Sequence, residues 1–391
     1  MEYTLTPAHV HKLTADLLEE QLELTDYKRT CSARTLLSIL FAACARLVSV
    51  SAAAADFLNG PSVETVRKAL RANTPSIKIL EPRLNRSLRA TTPRSLGTCH
   101  RLAIDLTLIA YHGTHHTDEN ELYRSQAKSG TSHFHAYGTA YLIRRGQRVT
   151  VALTYVRKGE DSAQVVKRLL QMARQAGVRP RLVLLDRGFF SVSVIRYFQA
   201  ARTPFLMPVP LRGRKKEHPQ GPGGTRVFGY WKRSGRGQHT LTATSGKKAT
   251  VGIVVHCRNR AGRRGKYGRE RLVYAYWGWE PPAAAQVSQL YRDRFGIETS
   301  YRQMNQCRAR TCTRSPAVRL LLVGVALVLR NVWVWLHWEV LPGSRRGPRA
   351  LRLELLRVKT LLLMLLKVAI EQFGLIDAIP TQRPIPDCIG G

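Results

Sequence analysis

Three acidic side chains occupy positions where acids are unexpected in this chain. Asp105 lies inside the apolar run LAIDLTLIA, Asp186 ends the apolar run RLVLLD, and Glu298 lies among arginines in YRDRFGIETSYRQMN. An ionised carboxylate beside a hydrophobic core is costly unless it is paired with a cation or binds a metal. Either aspartate alone would equally suit a buried arginine, but three such acids together favour a cation-binding site.

Carboxylate oxygens are the ligands of hard divalent cations, so the predicted ions are Mg²⁺ or Mn²⁺. In a two-metal site, one ion activates the attacking oxygen and the other stabilises the leaving oxygen of an in-line phosphoryl displacement. The ions would also cancel the repulsion between the carboxylates and a phosphate. The residue types therefore predict metal-dependent phosphoryl transfer with two ions.

The segment around Glu298 predicts one continuous helix with a polar stripe. At about 100° per residue, five residues fall within a stripe roughly 80° wide: Tyr291, Arg294, Glu298, Arg302 and Asn305. This pattern suits a carboxylate that binds metal while neighbouring arginines bind phosphate. A ladder of i,i+4 arginine–glutamate pairs on a solvated helix is the alternative.

The charge of the chain favours a polyanionic partner. Its 391 residues include 62 Lys+Arg and 26 Asp+Glu, a formal charge of +36. Nucleic acid is the commonest partner for such a field. Membrane binding is disfavoured because polybasic membrane segments are local, whereas these basic residues run along nearly the whole chain.

Localisation signals point to the cytoplasm. The most apolar stretch, AVRLLLVGVALVLRNVWVWLHWEVL, is interrupted by Arg319 and Arg330, so a buried helix is predicted in place of a membrane span. The seven cysteines are odd in number and scattered, without a C-x-x-C pair. This spacing indicates reduced thiols and argues against a thiolate zinc site.

Composition divides the chain into five regions of an α/β protein. Residues 1–98 are predicted to be helical and to bind DNA, and 99–208 carry strands and helices typical of an α/β layer. Residues 209–281 predict an antiparallel β insertion rich in basic and aromatic residues. Residues 282–345 predict helices that carry Glu298, and 346–391 a C-terminal helical region.

Two basic segments are candidates for phosphate contacts. In VETVRKALR, capped by Ser62, Arg67, Lys68 and Arg71 point away from the apolar face. This short helix weakly resembles a helix-turn-helix reader, and an ordinary surface helix is equally consistent. The run 258–272 contains Arg263, Arg264 and Lys266, which would add sequence-independent affinity; a solvated hairpin turn is the alternative.

Histidine and tryptophan clusters leave two further possibilities open. His112, His115, His116, His133 and His135 lie close in sequence and would suit zinc without cysteine, although their spacing is irregular and a structural or substrate-facing role is favoured. Trp231, Trp277 and Trp279 in the insertion would suit stacking on a flipped base, with core packing as the favoured role for each.

The order Asp105, Asp186, Glu298 resembles the DDE triad of insertion-sequence transposases. AIDLTLIAYHG and VLLDRGFFS resemble the two Asp motifs of insertion-sequence family 4, and YRDRFGIETSYRQMN resembles its Y-x2-R-x3-E-x6-K signature after a β-rich insertion. The resemblance covers residues 99–335. Asn305 stands where that family has lysine, and Arg302 is the candidate replacement.

This resemblance implies a ribonuclease-H-like core with a β insertion and a cut-and-paste DNA transposase. Asp105, Asp186 and Glu298 would be metal ligands, and Tyr291 and Arg294 would contact phosphate or a displaced base near the transposon end. The partners would be double-stranded DNA, as ends and as target, and a second copy of the chain on DNA. The enzyme would be nucleoid-associated. A stand-alone nuclease of this fold and a non-catalytic DNA-binding regulator are the rivals.

We expect Glu298→Gln and Asp186→Asn to abolish DNA cleavage and to leave binding of the element's ends nearly intact. Each change removes a predicted metal ligand without altering side-chain size. Cleavage and gel-shift assays on the same preparations measure both properties. Equal loss of binding and cutting in both variants would contradict the ligand role.

Overall fold

The computed structural model describes residues 3–93, 99–114, 122–144, 147–259, 268–341 and 351–378; within these ranges the side chains of 99, 144, 147 and 295–299 are not described.

The first 90 residues form helices, as predicted. They are α1 (Pro7–Leu22), α2 (Ala33–Arg46), α3 (Val50–Ala55), α4 (Val63–Ala72) and α5 (Ile77–Ala90). The serine at position 62 caps α4 by accepting from the backbone of Thr65. The apolar run after residue 33 is two helices because Leu47 adopts a left-handed conformation (φ 55°) that ends α2.

In the described residues, nine strands form a single mixed sheet. They are β1 (Cys99–Ala110), β2 (Tyr123–Lys128), β3 (Thr131–Arg144), β4 (Gln147–Val156), β5 (Arg179–Leu185), β6 (Phe205–Pro208), β7 (Gly235–Thr242), β8 (Lys248–Asn259) and β9 (Arg269–Trp277). The strand order is β2-β3-β1-β5-β6-β9-β8-β7, and β4 also pairs with β3. β1 lies parallel to β5 and antiparallel to β3.

Helices connect and cover the strands. α6 (Ser162–Gln175) links β4 to β5, and α7 (Val192–Ala200) links β5 to β6. Both start at a polar cap, Asp161 for α6 and Ser191 for α7. After β9 come α8 (Ala284–Arg292), α9 (Gly296–Gln306), α10 (Pro316–Trp335) and α11 (Val358–Phe373).

One local prediction for the region 209–281 was wrong. Within the predicted β insertion, the run RVFGYWKR (226–233) has the composition of a strand, but Gly224–Tyr230 is a 3-10 helix. This segment follows a glycine-rich turn in which Gly213 and Gly224 both have positive φ, so the chain curls before β7 begins. β7, β8 and β9 pair antiparallel, as expected for a β insertion.

Helix α10 is buried in the core, as the sequence predicted. Its apolar window is long enough to cross a membrane by length and composition, but 94% of that window is buried inside the protein. The Arg330 guanidinium donates to the Arg148 carbonyl (2.7 Å) and to the Gln303 side chain (3.1 Å). The interrupting arginine therefore joins α10 to β4 and α9.

Asn331 fastens α10 to the sheet. Its fully buried amide accepts from the Thr150 backbone N–H (3.1 Å) and donates to the Thr150 carbonyl (2.7 Å). We expect Asn331→Leu to lower the free energy of unfolding by about 2–4 kcal/mol, because both backbone groups would lose their partner in a dry core. Urea denaturation measures the change.

Asn305→Ala is the matched control, since Asn305 lies exposed on α9 and surface changes usually stay within about 0.5 kcal/mol. Equal losses in the two variants would contradict the role given to Asn331.

Candidate active site

Asp105 and Asp186 lie side by side on one face of the sheet. Ile104 of β1 pairs with Leu185 of β5 in parallel register. Asp105 directly follows Ile104, and Asp186 directly follows Leu185. Alternate residues of a strand share a face. Ala103 and Leu184, two positions before the aspartates, belong to the same buried cluster. The two carboxylates therefore project at the end of that apolar cluster.

Two tyrosines fix the helices over this face. Tyr291 of α8 is buried and donates to the Leu185 carbonyl (3.0 Å), immediately before Asp186. Tyr301 of α9 forms a hydrogen bond of 2.6 Å with the hydroxyl of Thr139, the cross-strand partner of Asp105. Both ends of the helical segment are thus attached beside an aspartate.

The predicted continuous helix through residues 290–308 was wrong. A 3-10 turn, Asp293–Phe295, separates α8 from α9, so the five residues of the predicted stripe are not on one helix face. Asp293 forms an ion pair with Arg101 of β1, and its carbonyl accepts from Arg148 (2.9 Å). These contacts hold the turn against the sheet. The turn places Arg294 beside the two aspartates.

Arg294 lies between the two aspartates. Its guanidinium is 2.9 Å from an Asp105 oxygen and 3.4 Å from an Asp186 oxygen, and it stacks 5.9 Å from the Tyr291 ring. The Arg294 side chain is only 8% exposed and that of Asp105 16%, whereas Asp186 is 47% exposed. One cation therefore satisfies two carboxylates at the border between core and solvent.

Burial dominates the electrostatics of Asp105. The pKa of this carboxyl is raised from 3.8 to about 6, because the increase from desolvation and from the Asp186 charge outweighs the decrease from the Arg294 charge. The neighbouring guanidinium therefore does not fully offset the loss of water. Ionised Asp105 is a strained charge that a further cation would stabilise.

The two aspartates fit a divalent cation, since hard oxygen donors from adjacent strands converge on one positive group. Glu298 lies in α9, one helical turn before Tyr301, and its side chain is outside the described residues. Within the described part of the chain, no three His, Cys, Asp or Glu side chains are grouped to hold a metal. Two of the three predicted ligands are thus placed together.

The other predicted DNA contacts lie at varied positions. Arg302 and Asn305 are exposed on α9, and Arg67, Lys68 and Arg71 are exposed on α4. Tyr291 and Arg294 are buried and bind within the protein, so their contact with DNA stays a prediction. Arg263, Arg264 and Lys266 lie outside the described residues.

The histidine and tryptophan clusters have packing contacts. His135 is buried, with a ring nitrogen 3.3 Å from the Tyr155 hydroxyl and an edge contact with Tyr111; His115 and His116 lie outside the described residues. The Trp279 indole donates to the Phe205 carbonyl (3.1 Å), and Trp231 packs on Phe228. Base stacking by these tryptophans stays a prediction.

Sequence reasoning missed the residues that orient the site, Thr139, Asp293 and Tyr301. Only Thr139 had a usable signal in the sequence, because it lies in SHFHAYGTAYLI, the next β-rich run after that of Asp105. The ion pair between Asp293 and Arg101 joins residues far apart in sequence, so no local sequence pattern predicts it.

Comparisons with known proteins agree with this geometry. A family model described as "Transposase DDE domain" matches residues 100–330. Among solved structures, a cryo-EM structure of a piggyBac transposase synaptic complex with hairpin DNA superposes with a TM-score of 0.55 at 13% identity, covering 95% of this chain and 81% of that one. No curated protein sequence matches significantly.

The sheet, its flanking helices and the paired aspartates define a transposase-type ribonuclease-H-like fold. Because the family model spans more than half of the chain, the chain belongs to the DDE transposases. It is a DNA transposase, an enzyme class that cleaves and joins DNA with divalent metal ions. The expected fold class, enzyme class and DDE resemblance are confirmed, whereas membership of insertion-sequence family 4 stays a prediction.

We expect Asp105→Asn to stabilise the metal-free protein at about pH 8 by on the order of 2 kcal/mol. The folded pKa of about 6 lies above the ordinary value of 3.8, so ionisation penalises the fold above pH 6 and the penalty vanishes as the pH falls towards 4. Asparagine removes the charge, while Asp186 remains to pair Arg294. Urea denaturation at about pH 8 and about pH 4.5 measures the gain and its decline.

The control is Asp161→Asn, which changes an exposed helix cap to an equally good one. A loss of stability in Asp105→Asn that grows with pH would mean that the ionised pair stabilises the fold.

Proposed function

We propose that Asp105, Asp186 and Glu298 are the metal ligands of this transposase and that they bind two Mg²⁺ or Mn²⁺ ions. The observation that carries the proposal is the convergence of Asp105 and Asp186 on one cationic group. The position of Glu298 supports it. The α-helical turn after Glu298 carries Tyr301, which is bonded to the cross-strand partner of Asp105.

The protein residues have separate tasks in this mechanism. When bound, the ions supply a Lewis acid that lowers the pKa of water and stabilises a leaving 3′ oxygen. Asp105 and Asp186 would hold the ions beside the C-terminal end of β5, where Asp186 is half-exposed and a DNA phosphate can approach. Arg294 neutralises both carboxylates beforehand, and it is then free to bind the phosphate oxygens that arrive with the DNA.

The proposed reaction is cut-and-paste transposition. Water hydrolyses one strand at each end of the element, and the freed 3′-OH then attacks a phosphodiester of target DNA. Residues 1–98 would help to recognise the ends, and Arg302 and Asn305, exposed on α9, would contact DNA beside the reacting phosphate. The similar piggyBac structure is a synaptic complex, which supports a homodimer on DNA.

The proposed cellular setting is the bacterial or archaeal cytoplasm, at the nucleoid. The charge of +36 supports continual association with DNA. Among the described residues, α10 is the one helix long and apolar enough to cross a membrane, and it is buried in the core, which supports a protein without a membrane partner.

The test is a joining assay with a labelled duplex that carries the sequence flanking the coding region, together with a supercoiled target. We expect nicked ends and joined products with Mg²⁺ or Mn²⁺ and neither product after chelation. An end that already carries a free 3′-OH should join without the hydrolysis step, because the same site performs both displacements.

Asp186→Asn should remove both products, and the matched Asp161→Asn should retain them. Cut ends without joining would identify a stand-alone nuclease. End binding without nicking under every metal would identify a DNA-binding regulator.

A further inference from the structure

A basic groove lies between the N-terminal helices and the segment that follows α9. It has a volume of about 620 Å³, and its lining includes Arg67 and Arg71 on one side and Arg310 and Arg314 on the other. Leu70 and Val318 contribute to its apolar floor. Its size is that of a pocket for one drug-sized molecule, which suits the backbone of one strand better than a whole duplex.

The extended chain after α9 presents one wall of this groove. Arg310, Cys312 and Arg314 are exposed while the residues between them are partly buried, the period-2 pattern of an extended segment. Arg310 and Arg314 are then about 13 Å apart. The backbone N–H of Arg310 donates to the Val48 carbonyl (2.9 Å), which fixes this wall to the N-terminal helices.

Helix α4 presents the opposite wall. Arg67 and Arg71 lie one turn apart on its exposed face. Among the described residues, Glu64 is the only acid that forms an ion pair with any of the four arginines. Its partner is Arg67, and both side chains are exposed on α4. Such a surface pair contributes little, so the groove keeps a concentrated positive charge.

The groove is connected to the catalytic strand. The Arg314 guanidinium donates to the Thr114 hydroxyl (3.3 Å), just beyond the end of β1, which carries Asp105. Arg319, at the start of α10, lies 5.1 Å from the Tyr111 ring in the same region. A ligand in the groove would therefore touch both the N-terminal helices and the catalytic domain.

We propose that this groove binds the phosphodiester backbone of one DNA strand and so couples DNA binding by the N-terminal helices to the active site. The inference rests on the transposase function and specifies a surface for its DNA. The partner is duplex DNA, either the end of the element or the target. Four arginines that line one groove suit phosphate oxygens, and the apolar lining suits the sugars between them.

The first experiment measures the salt dependence of duplex binding between about 50 and 200 mM salt. We expect Arg310→Gln/Arg314→Gln to reduce the slope of log affinity against log salt by about 1.8 and the affinity at about 100 mM by on the order of 50-fold. Arg67→Gln/Arg71→Gln should behave alike. Lys12→Gln/Lys359→Gln removes the same charge from the exposed faces of α1 and α11 and should leave the slope unchanged.

The second experiment needs no variant, because Cys312 is exposed inside the groove. Maleimide modification of Cys312, followed by peptide mass spectrometry, should be slowed by bound duplex. Protection by any duplex supports sequence-independent backbone binding, and protection by the end duplex alone assigns the groove to the element's end. Protection by unrelated duplex only after the end is bound assigns it to target DNA.

An unchanged Cys312 rate together with an unchanged salt slope, in a protein that binds and joins DNA normally, would overturn the groove assignment and leave the transposase function intact. A wild-type protein that neither binds nor joins DNA would overturn the proposed function itself.

Discussion

Two carboxylates that project from one apolar sheet face repel each other, and the guanidinium of Arg294 is what lets them lie together before any metal arrives. Much of the surrounding structure serves this contact. The turn Asp293–Phe295 is held by Arg101 and Arg148, and the helices on either side of it are attached to the sheet by Tyr291 and Tyr301.

This arrangement also explains how acids persist at the centre of so basic a protein. The positive field of the whole chain attracts DNA over long distances, but a phosphate must finally approach two negative groups. The apolar cluster beneath Asp105 excludes water, so the ionised carboxylate is unfavourable unless a cation lies beside it. The acidic groups that bind a cation thus lie at the sheet, whereas the basic groups that attract DNA are spread over the rest of the protein.

The sequence revealed the features that depend on local pattern. The apolar runs around Asp105 and before Asp186 are strands, the amphipathic run after residue 161 is a helix, and the arginine-interrupted apolar stretch is the buried helix α10. The two aspartates were expected in one site because each interrupts or ends an apolar run, and the parallel pairing of β1 with β5 brings them together.

The features that depend on distant partners were not predictable. The short strand β6 has only four residues, and β2 lacks an apolar run, so both take their form from pairing with neighbours. The break between α8 and α9 arises from contacts of Asp293 with two other strands. Helical periodicity depends only on the local sequence, so it predicted one continuous helix where the turn Asp293–Phe295 separates α8 from α9.

The continuity of the sheet limits how this enzyme can be shortened. β6 pairs with β5 on one side and with β9 on the other, so β9, β8 and β7 shield its second edge. Excising the basic β region would uncover a four-residue apolar strand, and an unprotected strand edge invites pairing with other chains. A minimal engineered transposase built on this scaffold would therefore have to retain β9, or cap β6 with a new strand, to remain free of aggregation.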